Sequence, residues 1–234
     1  MLNIAVAVDV LHPDADAINC GCYFAKLSQS KLTGILLEDL EYAFKPVIKN
    51  VNNAPYVETV LTTDIPSNTE KRKACAEVIV LFNETCKAKD VAHDIYLDCG
   101  MPAQELITES RFTDVMIIDA EMSFSKKTTG PPARFVKDIL AENECPVIIS
   151  SADFKTVDEI IFAYDGSASS MFAIKQFTYL FPELKEIKLK LLEINQHDVH
   201  FVKYQHKVRA WLKSHYTSVE IEVKEGNTRD ELFV

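Results

Sequence analysis

Short, nearly continuous apolar runs alternate with longer amphipathic stretches along this chain. Strands of a parallel sheet are buried on both faces, so the pattern predicts parallel strands joined by crossover helices. The predicted strands of the first 150 residues are 4–8, 31–37, 92–97, 115–118 and 146–149, and the helices are 14–27, 70–89, 103–110 and 133–142. Five such units fit an α/β fold with a doubly wound parallel sheet.

The same pattern then starts again. The predicted strands are 159–164, 187–194 and 219–224, and the predicted helices are 169–180 and 199–215. The printed sequence ends at Val234, where the next helix is expected. We therefore expect a first domain at 1–152 and a partial second domain of the same type at 153–234. A sheet that stops after three strands leaves its first strand as an edge.

A polar segment at 38–68 interrupts the alternation and contains Pro46, Pro55 and Pro66. It is too long for an ordinary loop between a strand and a helix. Two interpretations stay open: an insertion with a structure of its own, or a flexible cover over the domain.

Composition and charge exclude several classes of function. Of the 234 residues, 47% are hydrophobic and 26% are charged, which is typical of globular domains. The net charge of −10 opposes nucleic-acid binding and attachment to anionic membranes, since both need Lys and Arg. The N-terminus has no basic segment, and its apolar run ends at Asp9. We expect a cytoplasmic protein that binds neither nucleic acid nor membrane.

The cysteines and histidines show no metal-binding spacing. None of the six cysteines forms a CxxC pair, and we expect them to be small buried residues; Cys20 and Cys22 are the only close pair. His197 and His200 stand three residues apart, but no third ligand accompanies them. A solvated helix is the favoured interpretation, and no metal site is predicted.

Three segments carry a resemblance to a known family. Residues 100–107 contain Gly-x-Pro at a helix start and lead to 113–118, where Asp114 precedes the fourth strand. Residues 145–149 read Cys-Pro-Val-Ile-Ile as a final strand, and residues 160–170 read as a strand, an Asp165-Gly166-Ser167 turn and a helix start. Together they resemble the universal stress proteins. The resemblance implies five parallel strands in the order 3-2-1-4-5, a fold of the adenine nucleotide alpha hydrolase type. It also implies a nucleotide site at the carboxyl ends of the strands.

The resemblance places candidate ligand-binding residues in both domains. Asp9 and Asp165 occupy the position of the Asp that closes the first strand and faces adenosine in the family. Ile194 matches a Val that lies against adenine, whereas Asp39 stands there in the first domain. Gly166 and Ser167 complete the candidate set for an adenine nucleotide, either ATP or AMP.

Each candidate also has a purely structural interpretation. Asp165 and Ser167 could cap the helix that follows, and Gly166 could serve a turn that needs an unusual backbone angle. Ile194 could belong to the core, and Asp9 could simply end its strand.

The family holds phosphates with a loop of the form G-x2-G-x9-G-[S/T]. Residues 119–132 of the first domain contain one glycine, and Asp119 and Glu121 add negative charge there. Lys126 and Lys127 could offset part of this charge, but they do not replace the backbone N–H groups that glycine allows to approach an anion. We therefore predict that the first domain lacks conventional ATP binding. The corresponding loop of the second domain would lie beyond Val234.

These observations favour a non-catalytic stress-response or signalling module. The alternative is an ATP-binding or ATP-hydrolysing enzyme of the same architecture. Ser167 is not followed by the second glycine of a G-x-S-x-G elbow, and the chain contains no Walker loop. Universal stress proteins commonly pair through their final strands. We therefore expect a homodimer in which two copies of strand 146–149 meet, or in which a neighbour covers an exposed face. No particular protein partner is predicted.

Overall fold

The computed structural model describes residues 1–38, 44–51, 54–61, 66–98, 101–124, 131–195 and 202–225. The chain divides into two compact units, Met1–Phe154 and Lys155–Val234, here called unit 1 and unit 2. No helix in the described ranges is long and apolar enough to cross a membrane.

Unit 1 is built on a five-stranded sheet with a separate pair of strands. Its strands are β1 Asn3–Asp9, β2 Lys31–Leu37, β3 Phe44–Val51, β4 Ala54–Leu61, β5 His93–Asp98, β6 Val115–Asp119 and β7 Val147–Ser150. Its helices are α1 Ala15–Leu27, α2 Pro66–Ala88, α3 Pro102–Ser110 and α4 Arg134–Glu142. The sheet has the order β5-β2-β1-β6-β7, and every neighbouring pair is parallel. When β3 and β4 are set aside, this is the predicted order 3-2-1-4-5, so the predicted fold is confirmed.

The apolar runs arise because helices cover both faces of this sheet. β1 is buried continuously from Ile4 to Asp9. One face packs against Leu106 of α3 and against Val136 and Ile139 of α4. The opposite face receives Phe82 of α2. A central parallel strand therefore shows no alternation of polar and apolar residues, as the sequence pattern indicated.

The segment at 38–68 contains a structure of its own. β3 and β4 form a two-stranded antiparallel sheet in which Phe44 pairs with Leu61 and Val51 with Ala54. Each strand of a two-stranded sheet has a free edge, where a proline that cannot donate a hydrogen bond is tolerated. Pro46 therefore lies within β3 and Pro55 within β4. Pro66 is the first residue of α2, a position that also tolerates proline.

The described residues of unit 2 form three strands and two α-helices. They are β8 Glu159–Tyr164, β9 Lys188–Asn195, β10 Val219–Glu225, α5 Ala168–Leu180 and α6 Val202–Lys213, with a 3₁₀ helix at Pro182–Glu186. The strands are parallel in the order β10-β9-β8. His197 and His200 lie outside the described residues. The partial second domain expected at 153–234 stays a prediction.

The two faces of the unit 2 sheet differ. Ile160, Phe162 and Tyr164 of β8 are buried, and the Phe162 ring packs edge-to-face on Phe177 of α5 at 5.7 Å. The residues between them face the other way, where Lys188 bridges Glu159 at 2.9 Å and Glu220 at 3.3 Å. The alternating burial of β8 follows from this division into an apolar face under helices and a charged face.

Candidate functional site

Asp9 ends β1 and organises the turn that follows it. Its carboxylate is buried; Oδ1 accepts a hydrogen bond from Leu11 N at 2.8 Å, and Oδ2 lies 3.2 Å from His12 Nδ1. Both carboxylate oxygens of Asp9 therefore contact residues of the loop that directly follows β1. This is the arrangement expected if Asp9 terminates the strand.

A cavity of about 700 Å³ lies at the carboxyl ends of β6 and β7 in unit 1, and carboxylate residues dominate its polar lining. Asp14 and Asp16 come from the start of α1, and Asp119 and Glu121 from the end of β6; Asp9 is not part of the lining. Asp14 also caps α1, since it accepts hydrogen bonds from Asp16 N at 2.9 Å and from Ala17 N at 3.1 Å.

The carboxylates of this cleft interact unfavourably with one another. Burial raises the pKa of Asp119, a hydrogen bond from Glu121 N opposes the rise, and the nearby charges of Asp14 and Glu121 add to it. The sequence predicted the contribution of Asp119 and Glu121. It missed Asp14 and Asp16, although a capping Asp that opens the helix after β1 must lie at the same edge of the sheet. Lys126 and Lys127 lie outside the described residues.

The turn between β8 and α5 in unit 2 has the geometry of a helix cap. Gly166 has a φ of 82°, a conformation that favours glycine. Ser167 Oγ accepts a hydrogen bond from Ser170 N at 3.0 Å, and Ser167 N donates to Asp165 Oδ1 at 2.9 Å. Hydrogen bonds from Ser167 lower the pKa of Asp165. The capping interpretation of Ser167 and the turn interpretation of Gly166 are both confirmed.

A second cavity, of about 390 Å³, opens beside this turn within unit 2. Gly166 and Ser167 line one end, and Lys175 of α5 with Lys207 and Trp211 of α6 line the rest, together with Tyr164, Ala168, Met171 and Val208. The Trp211 ring stacks on His215 with centroids 4.0 Å apart. This lining contains two ammonium groups and an indole, whereas the lining of the unit 1 cleft contains four carboxylates and the imidazole of His12.

No family model and no curated protein sequence matches the chain. Among solved structures, a universal stress protein from Archaeoglobus fulgidus DSM 4304 superimposes with a TM-score of 0.69 at 13% identity, over 97% of this chain and 80% of that chain. The chain has the universal stress protein fold.

Two further matches are weaker. Another universal stress protein from Archaeoglobus fulgidus has a TM-score of 0.42 at 13% identity, over 64% of this chain and 99% of that one. A universal stress protein family protein from Arabidopsis thaliana, with AMP bound, has a TM-score of 0.37 at 14% identity, over 66% of this chain and 97% of that one. The fold is therefore assigned from the first match.

On the universal stress protein fold, the predicted residues separate into three groups. Gly166 and Ser167 share the unit 2 cavity, and Asp165 is hydrogen-bonded to Ser167 beside it. Asp9 belongs to unit 1. Ile194 lies in β9, but its side chain is outside the described residues. Within the described ranges, no group of three or more His, Cys, Asp or Glu side chains could hold a metal ion.

The sequence did not single out Lys175, Lys207 or Trp211. One signal was available, because Ala168, Met171 and Lys175 recur at the spacing of one helix face directly after the turn. The contribution of α6 depends on how the two helices pack, which spacing does not reveal.

Proposed function

We propose that this chain is a non-catalytic, cytoplasmic stress-response or signalling module of the universal stress protein type. In this proposal unit 1 has lost conventional ATP binding, and unit 2 is a partial second domain whose cavity retains weak binding of an adenine nucleotide. The fold match supports the class of protein, and it extends over 97% of the chain.

The acidic cleft of unit 1 is the observation that carries the proposal. Four carboxylate residues line the cavity at the strand ends, where the fold places its ligands. Two like charges about 4 Å apart repel by roughly 1 to 4 kcal/mol, depending on the local dielectric. A triphosphate brings several negative charges into this cavity, and the four carboxylates therefore disfavour its binding.

The unit 2 cavity has the complementary chemistry for a small aromatic anion. Lys175 and Lys207 can attract a phosphate, and the indole of Trp211 offers an aromatic surface to a base. Stacking of a base on an aromatic side chain contributes roughly 1–3 kcal/mol. A cavity of about 390 Å³ is in the range that accepts a small-molecule ligand, so AMP is the nucleotide that we propose.

Calorimetric titration of the full chain with AMP, ATP and adenosine tests this proposal. We expect weak AMP binding that Lys207→Ala reduces severalfold, whereas Lys213→Ala on the same helix, outside the cavity lining, leaves it unchanged. ATP should bind no more tightly than AMP. Micromolar ATP affinity that Lys207→Ala leaves unchanged would place ATP outside the unit 2 cavity and would contradict the loss of the unit 1 site. Steady release of inorganic phosphate from ATP would favour the enzyme alternative.

A further inference from the structure

Two buried thiols from different helices lie in contact in unit 1. Cys22 Sγ of α1 is 3.7 Å from Cys86 Sγ of α2, and both residues are at most 1% exposed. The close sequence pair Cys20 and Cys22 is not a pair in space, because residues two apart on a helix point in different directions. The thiol that meets Cys22 comes from 64 residues further along the chain.

We propose that Cys22 and Cys86 form a site of reversible oxidation, at which an intramolecular disulfide joins α1 to α2. A disulfide requires a sulfur–sulfur distance of about 2.0 Å. From 3.7 Å the two sulfur atoms close the gap by moving less than about 1 Å each, which side-chain rotation and a small helix shift can supply. This proposal is independent of nucleotide binding.

The surroundings assign different roles to the two sulfur atoms. When Cys22 is ionised, the Cys86 thiol donates the hydrogen bond between them, which lowers the pKa of Cys22; burial opposes this, and the charge of Lys89 adds to it. The same hydrogen bond, together with burial, raises the pKa of Cys86. This asymmetry favours Cys22 as the thiolate that attacks an oxidant and Cys86 as the thiol that resolves the product, and the opposite order gives the same disulfide.

A small oxidant can reach the pair from the end of the helices. Cys86 is in the last turn of α2, which ends at Ala88. Lys26 Nζ donates a hydrogen bond to Lys89 O at 3.1 Å across this exposed end. Terminal helical turns open at a low free-energy cost, so fraying of the last turn of α2 removes Cys86 from its contact with Cys22 and uncovers the Cys22 sulfur without unfolding the sheet.

Hydrogen peroxide is the oxidant class that we assign. The Cys22 thiolate attacks one peroxide oxygen, the O–O bond breaks, and the products after proton transfer are Cys22 sulfenic acid and water. Cys86 sulfur then attacks the sulfenic sulfur, the S–O bond breaks, and a second water leaves with the Cys86 proton. Two thiols and one peroxide thus give one disulfide and two waters. Reduction by a dithiol restores both thiols.

Oxidation of the folded full chain with hydrogen peroxide, followed by denaturation and alkylation with N-ethylmaleimide, tests the proposal. Trypsin releases Cys22 in fragment 1–26 together with Cys20, and Cys86 in fragment 74–87 together with Cys75. The informative protein is therefore the variant Cys20→Ala/Cys75→Ala, in which a link between these fragments can only join Cys22 to Cys86. We expect this link in the variant. In the wild-type chain we expect four alkylated cysteines of six, and all six after treatment with dithiothreitol.

Three outcomes would overturn the proposal: full alkylation of the wild-type chain after peroxide, a link that involves another pair, or a link that forms only in denaturant. If the double variant fails to fold, tandem mass spectrometry of the linked wild-type fragments keeps the test decisive, because backbone cleavage between Cys20 and Cys22 and between Cys75 and Cys86 shows which sulfur atoms are joined. Cys86→Ala, with Cys20 retained, should abolish the link between the two fragments.

Discussion

Phe82 lies against Gly34 so closely that no side chain fits between them. A Cβ atom on Gly34 would stand 2.8 Å from Phe82 Cζ and 2.9 Å from Cε2. Gly34 is in the middle of β2, and the Phe82 ring of α2 is fully buried and packs edge-to-face on His93 at 5.8 Å. α2 therefore packs on the sheet at a position where only glycine in β2 leaves room for the Phe82 ring.

Gly34→Ala should destabilise unit 1, because the buried ring has to move away from the new methyl group. Overpacking of this kind typically costs about 1–3 kcal/mol of unfolding free energy. Urea denaturation followed by circular dichroism measures the change. If Gly34→Ala unfolds at the same urea concentration as the wild-type chain, the close contact between Phe82 and Gly34 is wrong.

Gly21→Ala is the matched control for that substitution. Its new Cβ would meet Leu32 Cδ1 at 3.0 Å and Cδ2 at 3.2 Å, and these are the ends of a flexible side chain. Replacing a helical glycine by alanine also favours the helix by about 1 kcal/mol. The two effects oppose each other, so we expect a much smaller change than for Gly34→Ala.

Ser167→Ala should weaken unit 2 by removing the cap of α5. The hydroxyl of Ser167 accepts the hydrogen bond from Ser170 N, and loss of such a cap costs about 0.5–2 kcal/mol. The fluorescence of Trp211, the single tryptophan of the chain, reports the unfolding of unit 2. Ser169→Ala is the control, because Ser169 does not cap a backbone N–H in the described turn. Equal transitions for both variants would show that the cap contributes nothing.

The Ser167 hydrogen bonds also give unit 2 a dependence on pH. They lower the pKa of Asp165 in the folded state, so the folded state favours the ionised carboxylate. This stabilisation is present above the ordinary aspartate pKa of about 4 and is lost as the pH falls through the lower, folded value. Ser167→Ala should make the tryptophan transition less sensitive to acid in that window. An unchanged acid dependence would show that Asp165 does not stabilise the fold through Ser167.

The buried carboxylate of Glu193 gives a further test within unit 2. Its side chain is 0% exposed, and its Oε2 lies 3.5 Å from Arg209 Nη2. Arg209→Met removes the guanidinium from this carboxylate and should cost about 1–3 kcal/mol, less than for a fully buried pair because Arg209 is partly in water. The double variant Glu193→Leu/Arg209→Met should regain most of the loss. If the double variant is no more stable than Arg209→Met, the cost of Arg209→Met does not come from the buried charge of Glu193.

The fold could be predicted from the sequence where local patterning and burial coincide. β1 is apolar from Ile4 to Val8 because it lies at the centre of the sheet, and Asp14 caps α1 at the position where the helix was expected. The pairing of β3 with β4 could not be predicted, because Pro46 and Pro55 indicate turns in a sequence although an edge strand tolerates them.

The side chains that come together in the unit 2 cavity and in the cysteine pair were less predictable than the strands and helices of the fold. The turn at Gly166 was visible because its residue types fix the backbone locally. Lys175 and Lys207, like Cys22 and Cys86, come from separate helices, and only tertiary packing brings them together. No spacing in the sequence encodes such a juxtaposition.

Asp119→Asn should stabilise unit 1 increasingly as the pH rises. Burial raises the pKa of Asp119, so the folded state holds its proton at pH values where the unfolded chain has released it. Stability is therefore lost as the pH rises from about 4, the ordinary aspartate pKa, through the higher folded value. Asparagine removes this loss and can still accept the hydrogen bond from Glu121 N. Urea denaturation by circular dichroism at pH 4 and pH 7 measures the effect. If the variant gains no more stability at pH 7 than at pH 4, ionisation of Asp119 does not destabilise the folded state.

We propose β7 as the strand through which two copies of the chain form a dimer. In the described part of the chain β7 pairs with β6 only, and an edge strand presents unpaired N–H and C=O groups that a second copy can bind. Ile149 of this strand is 40% exposed.

In a two-fold symmetric contact, a residue near the axis meets its own copy, so Ile149→Lys places two positive charges opposite each other. Light scattering should give about twice 26.4 kDa for the wild-type chain and 26.4 kDa for this variant. Leu140→Lys changes a similarly exposed residue of α4 and should leave the dimer intact. A wild-type mass of 26.4 kDa at every concentration would rule out the dimer, and an Ile149→Lys dimer would move the contact away from β7.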